Sequence, residues 1–564
     1  LETERAVLVP NVQALRLIQQ LRSAGSRIIF ISDSYLPAKF VRAQLLHHCA
    51  AMDDDGIYVS SDIGVTKRSG ALFVEAMKRE TADVKELHHY GDNSNSDFRV
   101  PRKLGIGATL FTETKLNAWE CSALSPNVET RENASLIAAS MRNFRVNGVR
   151  HLRPEIRYLV ATFLGPATLL WAAWVLATAQ RDRVQRLYFV ARDANLVAIA
   201  ARLLSPQFDN IECRYLKISR QSILLPATNE ISPSGMPWLQ RPWEPPSLER
   251  IIAKIGLRWE NVSNAFSALA QDKGTNKLLM TTAEWDHFWY IAQRPPVRDL
   301  INEQIQGRKA TTLAFLEAQG LNEPTRSGLV DIGWYATVQA GLQKLIGNSL
   351  NKTPLGGYYL ALSSDHLPAG LAGETTALFY GEAPDQPSTI DSHEIFKRAT
   401  VLEHVFGLAL HGTVSEYQHH GSVVEPICAS VPPLHAEIVS AVQEAIEAYC
   451  IENRHNALTF SDTASAREIV DKLIRCWCSN PNKTSLGAFT QATVSDDPNN
   501  LDSRPLLEPW RAADVLKLLL PARIRNRLGI KFRQPVWPEA ALLLPRPWLL
   551  KILRWRRGMS APTE

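Results

Sequence analysis

Apolar and polar positions alternate along the first 120 residues in two rhythms. In "NVQALRLIQQLRSAG", Val12, Leu15, Ile18 and Leu21 recur three apart, which predicts a helix, and Gly25 stands where a helix C-cap belongs. "RIIFIS" (27–32) is a short unbroken apolar run, as expected of a strand buried on both faces. Pro37 opens a second helix carrying Phe40, Val41, Leu45 and Leu46. "GIYVSS" predicts another strand, followed by a helix from about Ser69, and "VKELHHYG" and "GATLFTE" are weaker strands around the short helix "SDFRVPRKLG". Strands separated by helices in this way predict one parallel sheet with crossover helices.

Residues 121–150, including "SPNVETRENAS", read as a polar linker. A second alternating region follows over 151–430, with strands at "RLYFVARD", "CRYLKIS", "SGLVDIGW" and "LGGYYLAL". A Trp- and Pro-rich excursion, "SPSGMPWLQRPWEPPSLER", lies between the second and third of these. Residues 431–564 are mostly helical in pattern. The expected architecture is therefore α/β: a Rossmann-like parallel domain over 1–120, a second Rossmann-like α/β domain and a helical C-terminal region.

The 23 uncharged residues between Arg157 and Arg181 are long enough to span a bilayer. Gly165-Pro166 interrupts them, and Thr162, Thr168, Thr178 and Gln180 dilute them, which favours a buried helix packed on a sheet. The tail "RPWLLKILRWRRG" has a Trp/Leu face with an Arg/Lys rim. It fits either a docked terminal helix or a peripheral contact with an anionic membrane surface.

At 564 residues the chain is long enough for two to four domains. A net charge of +5 provides no broad attraction for nucleic acid, so no nucleic-acid partner is expected. The seven cysteines form neither a disulfide framework nor zinc-ligand spacing, which points to a reducing, cytoplasmic compartment. The doubled histidines at 47–48, 88–89 and 419–420 have no metal-site partner at helical or hairpin spacing, so they read as ordinary residues.

Candidate chemistry gathers at the predicted strand ends, where ligands of parallel sheets bind. Ser32 and Asp33 follow "IIFI", "SSDIGVTKRSG" brings Lys67 to a helix start, and "HYGDNSNSDF" carries Asp92 and Asp97. A hydroxyl, an ammonium and two carboxylates at one edge suit a phosphate held with magnesium. In the second region, Arg192-Asp193, Ser219-Arg220, and Asp331 with Gly333 and Thr337 stand at strand-to-helix turns. They fit phosphate binding and structural capping equally well.

In order and spacing, Ser32, Lys67 and Gly91-Asp92 with Asp97 resemble the second, third and fourth motifs of the haloacid dehalogenase-like (HAD) hydrolase superfamily. With "YFVARDANL", "YLKISRQS", "VDIGWYATVQ" and "LEHVFGLALHGTVSEY", the chain resembles a large multidomain bacterial type found with surface-polysaccharide synthesis genes, sometimes joined to glycosyltransferases. The resemblance does not supply the substrate, which is expected to be a phosphorylated small molecule such as a sugar phosphate, but it implies a Mg²⁺-dependent phosphohydrolase. In it, Ser32 and Lys67 bind phosphate, and Asp92 and Asp97 bind the metal. It also implies a glycosyltransferase partner.

The family's first motif, a strand ending D-x-D that supplies the attacking Asp, is not found in the sequence. If Asp33 were that nucleophile, Tyr35 would stand where the acid–base Asp belongs. "MDDDG" and "SDDPN" are polar turn clusters rather than strand ends. The chain opens on Leu1, already near a helical pattern, which suggests a start further upstream. Catalysis is then expected to need residues outside this sequence; the alternative is a non-catalytic binding or scaffold protein of a glycan-assembly complex. A third reading is a transferase centred on Arg192, Asp193 and Asp331. The family pattern has Gly where this chain has Ala194 and Ala336, which puts phosphate cradling by those turns in question.

Overall fold

The computed structural model describes residues 2–240, 246–347, 355–363, 367–368, 371, 375–381, 392–490, 492–494, 504–519 and 535–544. The C-terminal tail, "SDDPN" and the centre of the Trp/Pro-rich excursion lie outside these. The chain divides into two compact units, one of residues 1–121 and 136–151, the other of 122–135 and 152–564.

In the first unit, Asn11 caps the helix Val12–Ser23 by accepting the backbone N–H groups of Gln13 and Ala14. Gly25 follows the helix at φ +82°. The strands are β1 (Ile29–Ser32), β2 (Gly56–Val59), β3 (His88–Gly91) and β4 (Gly107–Leu110). β1 pairs with β2 and β3 with β4, both in parallel. The single sheet expected over this region is thus two parallel pairs, and among the described residues the other edges of β1 and β3 have no strand partner. The core beneath β1 and β2 joins Tyr58, Leu72 and Ala76 to Ile29, Ile31, Ile63 and Val65.

The expected linker is instead largely helical, over Arg131–Asn147. Its polar words hide a buried stripe of Ala134, Ile137, Ala138, Met141 and Phe144, spaced for one helical face. Asn147 ties the end of this helix to the first unit, accepting the Val12 N–H at 3.0 Å and donating to the Pro10 carbonyl at 2.9 Å.

The second unit holds a five-stranded sheet of β5 (Arg186–Val190), β6 (Glu212–Leu216), β7 (Ser327–Trp334), β8 (Gly356–Ser363) and β9 (Thr375–Gly381). The order is β6-β5-β7-β8-β9 and every pairing is parallel. β9 and a hairpin of β10 (Val414–His420) and β11 (Val423–Cys428) were not expected from the sequence pattern. The insertion between β6 and β7 has its own helical core around Phe266, Phe288, Ile301 and Ile305.

The apolar stretch is a helix Pro154–Leu159, a π-helical turn Val160–Leu164 and a helix Gly165–Arg181. It is the one segment among the described residues long and apolar enough to cross a membrane, and it is buried inside the unit. It packs against the helices Asn195–Leu204, Pro433–Asn453 and Thr463–Ser479. The described C-terminal helices therefore belong to the same unit as the sheet, and do not form the separate region expected from 431 onward. A side chain at Gly165 would meet the Val160 carbonyl at 2.6 Å and the Tyr449 ring at 2.8 Å, so glycine lets that ring close on the helix.

Candidate functional site

In the first unit, the hydrogen bonds converge on Lys67 and Asp97. The Lys67 ammonium sits 2.6 Å from Asp97 Oδ1, and the Lys67 backbone N–H donates to Asp33 Oδ1 at 2.7 Å. Asp97 Oδ1 also meets His89 Nε2 at 3.1 Å, and Oδ2 accepts the Asn93 N–H at 2.9 Å. These bonds connect the residue after β1, the loop before the helix Ala71–Glu80 and the residues after β3. Asp97 lies on a π-helical turn, Ser94–Arg99, capped by the Asn93 side chain. Such turns re-aim side chains and recur at functional sites.

Gly91 explains how the Asp97 carboxyl comes to lie against the end of β3. A Cβ at Gly91 would lie 2.5 Å from Asp97 Cγ. Asp97 is only 3% exposed and Lys67 13%. Burial alone would raise the Asp97 pKa, but His89, Lys67 and the Asn93 N–H all favour the charged form and hold it well below the usual carboxylate range.

The pH consequence follows from linkage. A depressed folded-state pKa adds stability above the unfolded value of about 4, and that stability is lost as pH falls further. The stability gap between wild type and Asp97→Asn, measured by urea unfolding, is therefore expected to be wide at neutral pH and to narrow in acid.

Of the four predicted residues, the structure joins Lys67 and Asp97 directly. Ser32 ends β1 beside Asp33, and Asp92 follows β3, exposed. Neither makes a side-chain hydrogen bond or ion pair with another described residue. Asp97, expected as a metal ligand, has both oxygens engaged by Lys67, His89 and Asn93. That leaves Asp92 and Asp33 as exposed carboxylates at this edge, Asp33 with one oxygen on the Lys67 N–H. Among the described residues no three His, Cys, Asp or Glu side chains gather at metal-binding range. A magnesium ion often takes one or two protein carboxylates plus waters and phosphate oxygens, and Asp92 and Asp33 are the exposed carboxylates that would hold one here.

Sequence reading missed two members of this network. Asp33 had been set aside as a neighbour of Ser32, and His89 as an ordinary residue. The signal for His89 was its spacing two residues from Gly91, which puts it on the same strand face.

In the second unit, Arg192 and Asp193 follow β5, Ser219 and Arg220 follow β6, and Asp331 lies within β7. Ser219 is a structural cap: its hydroxyl accepts the Ser222 N–H at 3.2 Å, and the Ser222 hydroxyl accepts the Ser219 N–H at 3.0 Å. Arg192, Trp334 and Ala336 hold φ of +60°, +73° and +49°. Ala194, at φ −107°, needs no glycine, so of the two alanines only Ala336 occupies a glycine-favouring conformation. Tyr215 Oη accepts the Arg192 N–H at 3.1 Å and lies 2.9 Å from His411 Nε2, while His411 Nδ1 faces the Gly412 carbonyl. Burial pushes the Asp193 and Asp331 carboxyls upward; Glu403 adds to both and Asp193 adds to Asp331, while Arg220 opposes both and Arg192 opposes at Asp193. Glu403, on the helix Ala399–Phe406, was not singled out from the sequence. No family model and no curated protein matches this chain.

Proposed function

We propose that the first unit is the phosphate- and magnesium-holding part of a HAD-type phosphohydrolase acting on a phosphorylated small molecule. The observation that carries this reading is the bonded network from Asp33 through Lys67 and Asp97 to Asn93, in which the residue after β1 holds the Lys67 backbone and the turn after β3 holds its ammonium. Asp97 anchors Lys67 with its charge intact, so the amine is positioned to meet phosphoryl oxygens beside the Ser32 hydroxyl. Magnesium held at Asp92 would neutralise charge on the same phosphoryl group.

The attacking carboxylate this reading needs is not at any apolar strand end of the sequence, so residues outside it would supply it. The open edges of β1 and β3 are compatible with an added strand. The sugar-phosphate substrate, the glycan-assembly setting and the glycosyltransferase partner rest on the resemblance alone. A second reading, favoured by the missing D-x-D strand, is a binding or scaffold protein that keeps the phosphate pocket without turnover.

Isothermal calorimetry of inorganic phosphate with and without Mg²⁺ tests the pocket itself. The expected result is Mg²⁺-dependent binding, weakened at least tenfold by Lys67→Ala and by Asp92→Asn. Binding that neither variant affects would sink both readings. A phosphatase substrate panel with Mg²⁺, run on the product of the upstream-extended reading frame, then separates them: phosphate release supports the first and continued silence the second.

A further inference from the structure

The second unit carries a polar cluster that the phosphohydrolase reading does not use. Its sheet order reverses direction between β5 and β7: the chain leaves β5 for β6 on one side and returns to β7 on the other. The carboxyl ends of strands flanking such a reversal open a crevice between diverging connections, the usual ligand position in open parallel sheets. Here Arg192 and Asp193 follow the end of β5, Asp331 stands three residues before the end of β7, and Arg220 follows the neighbouring β6.

The cluster is built but unspent. Asp331 is 7% exposed, and its Oδ1 accepts only the adjacent Ile332 N–H, at 2.8 Å. Its second oxygen takes no hydrogen bond from any described residue. Asp193 packs against Gly407, where a Cβ would lie 3.2 Å from Asp193 Oδ1. That brings it to the end of the helix bearing Glu403. Arg192 and Arg220 act electrostatically on Asp193, and Arg220 on Asp331 as well. Yet none of these five side chains forms an ion pair with a described residue. They stand on the turn after β5, within β7, at the start of the helix after β6 and on a separate helix, and no described residue neutralises their charges by an ion pair.

Their arrangement selects a ligand class. A bare anion meets repulsion from three carboxyl groups, a cation meets two guanidiniums, and no three acids gather as a metal site does. A molecule with hydroxyls at one end and an anionic group at the other satisfies both halves. The buried Asp331 and the exposed Arg220 orient it, hydroxyls inward and anion at the mouth.

We propose that the carboxyl ends of β5, β6 and β7 form a second ligand site for a sugar phosphate, with Arg192 and Arg220 on the phosphate and Asp193, Asp331 and Glu403 on the hydroxyls. The site does not depend on the reading given to the first unit.

The test titrates the full chain by calorimetry with a panel of pentose and hexose phosphates, the matching free sugars, inorganic phosphate and Mg²⁺. At least one sugar phosphate is expected to bind more tightly than its sugar or phosphate alone. Arg220→Ala and Asp331→Asn should each weaken it tenfold or more, in the wild-type chain and in the Lys67→Ala background alike. Asp331→Asn should also raise the melting temperature, because it removes a buried carboxyl repelled by its neighbours, whereas a merely structural Asp331 would lower it. No binding across the panel, or binding unmoved by Arg220→Ala and Asp331→Asn, overturns the proposal. Loss only with Lys67→Ala also overturns it, by assigning the ligand to the first unit. Binding of Mg²⁺ alone that Asp331→Asn abolishes overturns it in favour of a cation site.

Discussion

Gly91→Ala is expected to unseat Asp97 and to be among the most damaging single-methyl additions in the first unit. The added carbon would lie 2.5 Å from Asp97 Cγ and 2.7 Å from its Cβ and Oδ2, so the carboxyl must move. Moving it breaks the 2.6 Å contact with Lys67 and strands two nearly buried charges. Overpacking typically costs about 1–3 kcal/mol, and breaking a buried pair about 3–5 kcal/mol. The two act through one contact, so a combined loss near 4 kcal/mol is expected rather than their sum. Urea denaturation of wild type, Gly91→Ala, Asp97→Asn and the double variant measures it. If the glycine serves the carboxyl, the double variant loses little more than the worse single one. Additive losses would mean that Gly91 has a separate role.

Gly333→Ala should damage the second unit by a different route. Gly333 lies near the end of β7 at φ +113°, a region costly for any residue with a Cβ, and is paired in register with Ala361. A Cβ there would sit 2.1 Å from the Ala361 carbonyl oxygen, so β7 must part from β8 at its carboxyl end. Strain and steric displacement together are expected to cost about 3 kcal/mol or more. Three residues on, Ala336→Gly should go the other way, gaining up to about 1 kcal/mol by relieving a left-handed alanine. Opposite signs at two neighbouring positions would establish that backbone conformation governs this turn. A neutral Gly333→Ala would contradict that account.

What the sequence made legible was what burial makes repetitive. β5 and all but the end residues of β8 are buried runs, and an unbroken apolar word announces such strands, whereas β1 carries the same kind of word and is only half-buried. The helix Arg131–Asn147 was hidden because its first turn is polar and further polar residues are interspersed among its buried ones, and a word-by-word reading saw only "ETREN". β9 is a short apolar run beyond two glycines, too brief to distinguish from a helix segment by periodicity.

The candidate site in the first unit was half legible. Lys67 and Asp97 stood at expected spacings, but the ion pair between them, and the use of both Asp97 oxygens, depends on a π-helical turn that spacing does not reveal. His89 and Asp33 entered through tertiary contacts alone. In the second unit, Arg192, Asp193 and Asp331 marked strand ends in the sequence. Glu403, about 70 residues beyond Asp331, joins them only because the helix Ala399–Phe406 brings it there.

Diffraction from crystals soaked in Mn²⁺ and phosphate, with Mn²⁺ standing in for Mg²⁺, addresses the central claim most directly. The account predicts an anomalous Mn²⁺ peak beside Asp92 and a phosphate reaching both Ser32 and the Lys67 ammonium. Mn²⁺ bound elsewhere, or a phosphate absent from the neighbourhood of Lys67, would contradict it.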